Sequence, residues 1–287
     1  MSSVKRGNAG IVGVENNPTT SVASGIWDLN EVLEARKNNL WPTMSLYNYP
    51  IEHSLRFDGS SYLSKSSLGS ASTFTFSMWA KISSLDENKY VISWDKGAGL
   101  YTGLAFATPT ANSSNSPNSL YFYNQPNLTY TTQAYRDLSG YYHIVWSSNN
   151  LSSTLYVNSN SVLSSVTTPA LNSTIYLGKY AASTSYNFNG YLADIYFIDG
   201  QALSPYFFGE LVGGVWTPKA FDGTASDGNN GSATGSYGTN GFHLQFNPAD
   251  FNTSGGNQTV TYNGNSSTLP NNHVADVSGS GNHWELH

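Results

Sequence analysis

Between residues 54 and 203 the chain repeatedly alternates apolar and polar residues in short runs, and most runs end in Asn, Asp, Gly or Ser. Residues 54–63 (SLRFDGSSYL) alternate around an Asp58-Gly59 turn; residues 74–80, 141–146, 155–158 and 189–203 follow the same rule. Alternation with period two sends successive side chains to opposite faces of a strand, so one face of each run is apolar. Many such runs between turn residues fold as sheets packed face to face, because no strand buries its apolar side alone. Phe74, Phe76, Met78 and Ala80 share one face of their strand, and Thr73, Thr75, Ser77, Trp79 and Lys81 the other. Leu104 with Phe106, and Leu120 with Phe122, mark further strands, and Asn158-Ser-Asn160 marks a hairpin turn. A polar loop at 108–118 falls at the rim, where a rigid sandwich usually carries its specificity.

Only 10% of the 287 residues are charged, while 14% are aromatic and 20 of those are Tyr. Ser, Thr, Asn and Gly take the place of charge. Such a surface stays wettable and offers the donors, acceptors and ring faces that sugars use, although most of the tyrosines read as ordinary strand formers. The net charge is −6, and Lys5-Arg6 and Arg36-Lys37 are isolated pairs, which argues against nucleic acid as a partner. Without cysteine there are no disulfides, no thiol catalysis and no cysteine zinc site. The first ten residues hold no apolar core of signal-peptide length, and no segment reaches membrane-spanning length. The expectation is a chain made in a cytoplasm, without an ordinary export signal and without membrane insertion. An outward-looking composition with no export signal fits a virus particle.

Four regions are expected. Residues 1–25 form a polar arm whose apolar patch is Ile11, Val12 and Val14. Residues 26–42 form a short helix and attachment segment: Asp28 is the N-cap, Glu31 stands three residues on, Leu29, Val32 and Leu33 make one stripe, and Trp27 and Trp41-Pro42 flank it. About ten helical residues are unstable alone, so the stripe must pack on the sandwich, capping its open end, or on a neighbouring chain. In the second case Ile11, Val12, Val14, Trp27, Leu29, Val32, Leu33 and Trp41 are the assembly candidates. Residues 52–211 form the sandwich, and 212–287 a Gly/Asn/Ser-rich extension with strand signals at 241–246 and 258–262.

The motif order across the sandwich resembles the laminin G-like members of the concanavalin A-like lectin superfamily. That resemblance implies an all-β jelly roll, here with a short N-terminal helix and a β-rich C-terminal extension, ended by a helical turn at 203–209. Residues 25–42, from Gly-Ile-Trp to Trp-Pro, and residues 235–242 resemble elements of virion proteins of marine tailed bacteriophages. Residues 276–284 (DVSGSGNHW) resemble the phrase that commonly opens a laminin G-like domain, yet the chain ends three residues later. This tail lies along its own sandwich or pairs with a neighbour's sheet edge. The resemblance implies a virion-surface protein (tail fibre, appendage or capsid decoration), with other virion proteins and copies of itself, as a trimer, for partners, and host surface glycans as ligand.

Glycan-cleaving relatives on this fold set two carboxylates a fixed distance apart on one strand, as Glu-x-Asp-x-x-Glu or Glu-x-Asp-x-Glu, and that spacing is missing here. Asp194 and Asp199 are five apart and point to opposite faces; Asp86-Glu87 lies in a polar turn. There is no Gly-x-Ser-x-Gly elbow, and His143 lies in an apolar strand, where a core or hydrogen-bonded histidine is expected. His283 and His287 have helical ligand spacing at a terminus, which chance explains. No cofactor is expected; calcium is the one metal the resemblance allows, with Asp95 as its candidate rim carboxylate. Trp94, Tyr101 and Tyr123 are the candidates for stacking on a sugar ring. The first reading is a non-enzymatic virion structural protein. A freestanding carbohydrate-binding module is the alternative, and a degenerate glycosidase the third. The structural reading expects residues 11–14 and the helix stripe between chains, the lectin reading an open aromatic rim, and the enzyme reading a carboxylate pair that converges in space.

Overall fold

A computed structural model describes residues 28–38, 40, 49–97, 99–107, 117–183, 185–228 and 233–287. The chain divides into two compact units, Met1–Pro50 and Ile51–His287. Within the first, α1 spans Leu29–Lys37. Asp28 Oδ1 accepts the Glu31 N–H at 2.8 Å, and Glu31 Oε2 accepts the Asp28 N–H at 2.9 Å, a reciprocal capping box. Glu31 in the first turn and Arg36 and Lys37 in the last complement the helix dipole. Leu29, Val32 and Leu33 lie on this helix, whereas Ile11, Val12, Val14, Trp27 and Trp41 lie outside the described residues.

The second unit is a β sandwich. Its strands are β1 (Leu55–Asp58), β2 (Leu63–Lys65), β3 (Phe74–Ile82), β4 (Lys89–Asp95), β5 (Tyr101–Phe106), β6 (Leu120–Asn124), β7 (Asn127–Tyr130), β8 (Tyr142–Asn149), β9 (Ser152–Val157) and β10 (Asn160–Thr167). They continue as β11 (Ile175–Leu177), β12 (Asn189–Asp199), β13 (Gly209–Val212), β14 (Val215–Pro218), β15 (Phe242–Leu244), β16 (Phe251–Asn252), β17 (Gln258–Tyr262), β18 (Asn265–Leu269), β19 (His273–Val274) and β20 (Trp284–Leu286). One sheet runs β1-β12-β3-β8-β9-β10, with β15 also on β12; the other runs β16-β19-β20-β2-β11-β4-β5-β6-β7. The alternating residues meet between them: Phe74, Phe76, Met78 and Ala80 face Leu104, Phe106, Leu120 and Phe122 across a core that also holds Trp94, Trp146 and Trp284. The short turn expected near 203–209 is a 3-10 helix at Pro205–Phe207. Among the described residues no helix is long and apolar enough to cross a membrane.

The C-terminal extension is part of the sandwich, and residue 211 does not end a compact unit. Strand β12 pairs with β3 along one side; along its other side β1 takes residues 189–192 and β15 takes 195–197. The changeover falls at a bulge centred on Asp194, whose φ is +48°. Phe242, Leu244, Phe246, Val274 and Trp284 all enter the core from the extension. Strand β20 pairs with β2 of its own chain, Leu63 opposite Leu286 and Ser64 opposite Glu285, so the tail lies along its own sandwich. Asp276 folds the preceding loop: its Oδ1 accepts the N–H groups of His243 and Ser278, and its Oδ2 that of Asn282.

Part of the outer face of the seven-stranded sheet is also covered. Val145, Tyr196 and Ile198 are buried beneath Leu203, Phe207, Phe208 and Phe221. The β13–β14 hairpin comes down beside them, and Trp216 Nε1 donates to His143 Nδ1 at 2.9 Å.

Candidate functional site

The outer face of the nine-stranded sheet carries a concentration of tyrosines that only the register reveals. Tyr130 lies opposite Tyr121, Tyr121 opposite Ala105, and Ala105 opposite Tyr90, one row across four strands. The neighbouring row runs Leu128, Tyr123, Gly103, Ser93, Tyr176, Ser64 and Glu285. Residues of one row stand on the same side of the sheet, about 4.8 Å apart from strand to strand.

The segment between β11 and β12 folds back over these rows. Ser93 Oγ donates to the Lys179 carbonyl at 2.6 Å and accepts the Ala181 N–H at 2.8 Å. Tyr180 then stacks on Tyr90 with centroids 4.3 Å apart and planes 18° apart. Tyr101 meets Tyr180 edge-on at 6.1 Å, Tyr186 lies 6.4 Å from Tyr180, and Tyr121 packs against Tyr130 at 5.3 Å. Gly103 forms the floor: a Cβ there would stand 2.6 Å from the Ile92 carbonyl oxygen and 3.0 Å from the Tyr90 ring. Tyr90 and Tyr121 lie buried at the base of the cluster, and burial pushes both phenols well above their ordinary range. Burial also raises Tyr180, and the neighbouring Tyr123 phenol acts in the same sense. Tyr101, Tyr123, Tyr130 and Tyr180 stay partly exposed, and Tyr186 and Leu128 are exposed. Ring edges and phenolic hydroxyls thus reach solvent from a base already fixed by packing. Such a surface can stack on the apolar face of a pyranose and exchange hydrogen bonds with its hydroxyls. Further along the sheet, Lys179 Nζ stands 4.1 Å from the Tyr62 ring centre and 4.8 Å from that of Tyr176, and His287 stacks on Tyr62.

Tyr101 and Tyr123, two of the stacking candidates, belong to this face. The third does not. Trp94 is 0% exposed and packs 5.4 Å from Trp146, because it shares the core side of β4 with Ile92. Asp95 closes a turn, its Oδ1 accepting the Gly97 N–H at 2.6 Å. No group of three or more His, Cys, Asp and Glu side chains among the described residues is placed to hold a metal ion. His283 and His287 flank strand β20 rather than lying on a helix; His283 Nε2 bonds Ser267 Oγ and His287 Nε2 bonds Ser64 Oγ. Residues 108–116 of the expected rim loop lie outside the described residues.

The acidic groups are engaged elsewhere. Asp86 and Glu87 pair with Lys89 at 3.0 and 2.9 Å, Asp194 bonds His243 Nε2 at 2.7 Å, and Asp199 accepts two bonds from Asn240. Ser77 and His143 look at first like a nucleophile and its base, with Oγ and Nε2 2.8 Å apart. The Trp216 indole can only donate, so His143 Nδ1 is an acceptor and the ring proton sits on Nε2, directed at Ser77. This imidazole cannot take the Ser77 proton; the pair anchors the hairpin.

Tyr90, Tyr121, Tyr130, Tyr180 and Tyr186 were not singled out by sequence reasoning. The Tyr-x-Tyr of 121–123 on a predicted strand was a signal for two rings on one face.

The family model described as the concanavalin A-like lectin/glucanases superfamily matches residues 57–206. Among solved structures, domain 4 of AbnA, a GH43 extracellular arabinanase of Geobacillus stearothermophilus, is 17% identical with a TM-score of 0.43, over 53% of this chain and 72% of that one. The LG4-5 domains of the mouse laminin alpha1 chain are 17% identical with a TM-score of 0.40, over 55% and 43%. Trypanosoma rangeli sialidase is 14% identical with a TM-score of 0.42, over 54% and 26%, so this chain spans about a quarter of that enzyme. No curated protein sequence matches.

Proposed function

The chain belongs to the concanavalin A-like lectin/glucanases superfamily, and from that premise we propose that it is a non-enzymatic glycan-binding protein whose ligand lies on the tyrosine face of the nine-stranded sheet. One observation carries the reading: Tyr101, Tyr123, Tyr130, Tyr180 and Tyr186 gather on one face, with rings partly open to solvent, over the buried base of Tyr90 and Tyr121. The surrounding polar groups are mostly hydroxyls and amides, which suits a neutral sugar better than a charged one. In the wider setting it is a surface subunit of a tailed-phage particle, held by its N-terminal segment and displayed in many copies. That placement is supported by the likeness of residues 25–42 to virion proteins. Repetition turns weak single contacts into useful attachment through effective concentration.

The test is affinity electrophoresis of the full chain in gels holding neutral polysaccharides of several linkages. At least one should retard it, and Tyr101→Ala with Tyr123→Ala should lower that affinity about tenfold, some 1.4 kcal/mol, with the melting temperature unchanged. Retardation that survives the double variant would move the site elsewhere. A single oligomer that falls to monomer without residues 1–42 would support assembly through that segment; an unchanged mass would count against it.

A further inference from the structure

The other sheet presents a second surface of different chemistry. Its outer face is covered at one end by Leu203, Phe207, Phe208 and Phe221 and left open at the other. On the open part, Arg56 of β1 lies opposite Tyr191 of β12, and Tyr191 lies opposite Lys81 of β3. Lys81 in turn reaches Tyr141, the residue just before β8. The Arg56 guanidinium stands 5.2 Å from the Tyr191 ring centre, and Lys81 Nζ stands 5.9 Å from Tyr191 and 6.0 Å from Tyr141. Cation and ring thus alternate across neighbouring strands.

Neither cation is neutralised within its row. Arg56 donates to the Asn189 side-chain oxygen at 2.7 Å and to the Gly190 carbonyl at 3.3 Å, both uncharged acceptors. That leaves part of its fork facing outward. Among the described residues, no salt bridge engages Lys81. The nearby acids keep their charge but bond elsewhere: Asp58 accepts the N–H groups of Ser60 and Ser61 and Asp137 bonds Ser139, and Lys81 acts on Asp137 only at longer range, so no carboxylate among the described residues caps either cation directly. Two cations are thus held over two rings on a chain of net charge −6, each with hydrogen-bonding capacity that no described carboxylate occupies directly.

We propose that the Arg56–Tyr191–Lys81–Tyr141 row is a second carbohydrate site, distinct from the tyrosine face, that takes an acidic polysaccharide. The anionic substituents of alternate residues, carboxylate or sulfate, meet Arg56 and Lys81, and the sugar rings between them lie against Tyr191 and Tyr141. A guanidinium offers a carboxylate or sulfate two parallel hydrogen bonds, and an ammonium a compact charge. The sites are independent, and failure of one leaves the other standing.

The test is electrophoretic retardation of the full chain at pH 7 by polygalacturonate, dextran sulfate and unsubstituted dextran, with poly-glutamate as a charged polymer without sugar rings. The expected result is retardation by polygalacturonate or dextran sulfate, identifying carboxylate or sulfate as the anion. It weakens when salt rises from about 0.05 to 0.3 M, as screening requires. Arg56→Gln with Lys81→Gln lowers that affinity at least tenfold, and Tyr191→Ala lowers it with both cations retained, while Lys37→Gln does not change it. Melting temperatures establish that each variant is folded. No retardation by either acidic polysaccharide, unchanged binding by the Arg56/Lys81 double variant, or equal retardation by poly-glutamate would each overturn the proposal. Loss of neutral-glycan binding in Tyr101→Ala with Tyr123→Ala, with acidic binding intact, would separate the two faces.

Discussion

The indole N–H of Trp216 points at Nδ1 of His143, 2.9 Å away, and the same imidazole reaches Ser77 Oγ at 2.8 Å with its other nitrogen. One histidine therefore ties the β13–β14 hairpin to strands β3 and β8. The Trp216 ring also lies so close to Gly209 that a Cβ there would sit 2.3 Å from it. Trp216→Phe keeps most of the packing and removes the donor, leaving a buried acceptor without its partner. A loss of about 1–3 kcal/mol in unfolding free energy is expected, measured by urea denaturation at pH 7. A change within error would mean that the bond contributes nothing net.

Acid should act through the same residue. Burial holds His143 down to about 3, against an ordinary value of 6.5. Between those values the unfolded chain binds a proton that the native chain refuses, so stability rises with pH and is lost as pH falls below 6.5. One such group contributes at most about 1.4 kcal/mol per pH unit. Burial depresses His283 as well and adds in the same sense. From pH 7 to pH 5 carboxylates scarcely titrate, so a fall in stability over that window belongs to histidine. His143→Gln should reduce the slope to the part His283 contributes, even if the variant is less stable throughout; the same slope in that variant would clear His143 of the effect.

Gly103 tests the base of the tyrosine face. Its φ is unexceptional, so the requirement is one of space: a Cβ would meet the Ile92 carbonyl at 2.6 Å, Ser93 Cβ at 2.9 Å and the Tyr90 ring at 3.0 Å. Gly103→Ala should cost about 1–3 kcal/mol through overpacking. Glycan affinity should fall further than folding alone explains, because Tyr90 supports Tyr180. Normal stability and normal binding together would show that the floor can yield.

The strands were legible because alternation is local: residues 74–80 declare a core side and an outer side without reference to any other strand. Trp94 shows where that reading was incomplete. It shares parity with Ile92 on a buried strand, which its place beside the Asp95 turn conceals. The tyrosine face was hidden for a different reason. Tyr90, Tyr121 and Tyr130 are neighbours only through the pairing of β4, β5, β6 and β7, and Tyr180 arrives on a loop about ninety residues after the Tyr90 it stacks on. Register is set by long-range pairing, which no single run records. The part the extension plays in the core was hidden because its Gly, Asn and Ser content masks a few deeply buried anchors. Phe242 and Trp284, each 0% exposed, are two of them.

Those anchors make the tail a sharp test of the architecture. Trp284 is enclosed in the core, 5.0 Å edge-to-face from Phe242, and β20 satisfies the edge of β2. Deleting residues 275–287 removes both at once. It also exposes a strand edge able to pair with another chain. The expected outcome is a chain several kcal/mol less stable and prone to associate, since a buried aromatic alone is worth about 3–5 kcal/mol. Trp284→Ala should show the packing part of that loss without opening the edge. A synthetic peptide of residues 275–287 added to the shortened chain should restore the melting temperature and suppress association, because the groove beside β2 is shaped by the rest of the sandwich. If the shortened chain melts like the full one and keeps the full chain's mass in solution, the tail is an ornament and the core closes without it. If only Trp284→Ala is tolerated, the pairing of β20 with β2 outweighs the buried ring.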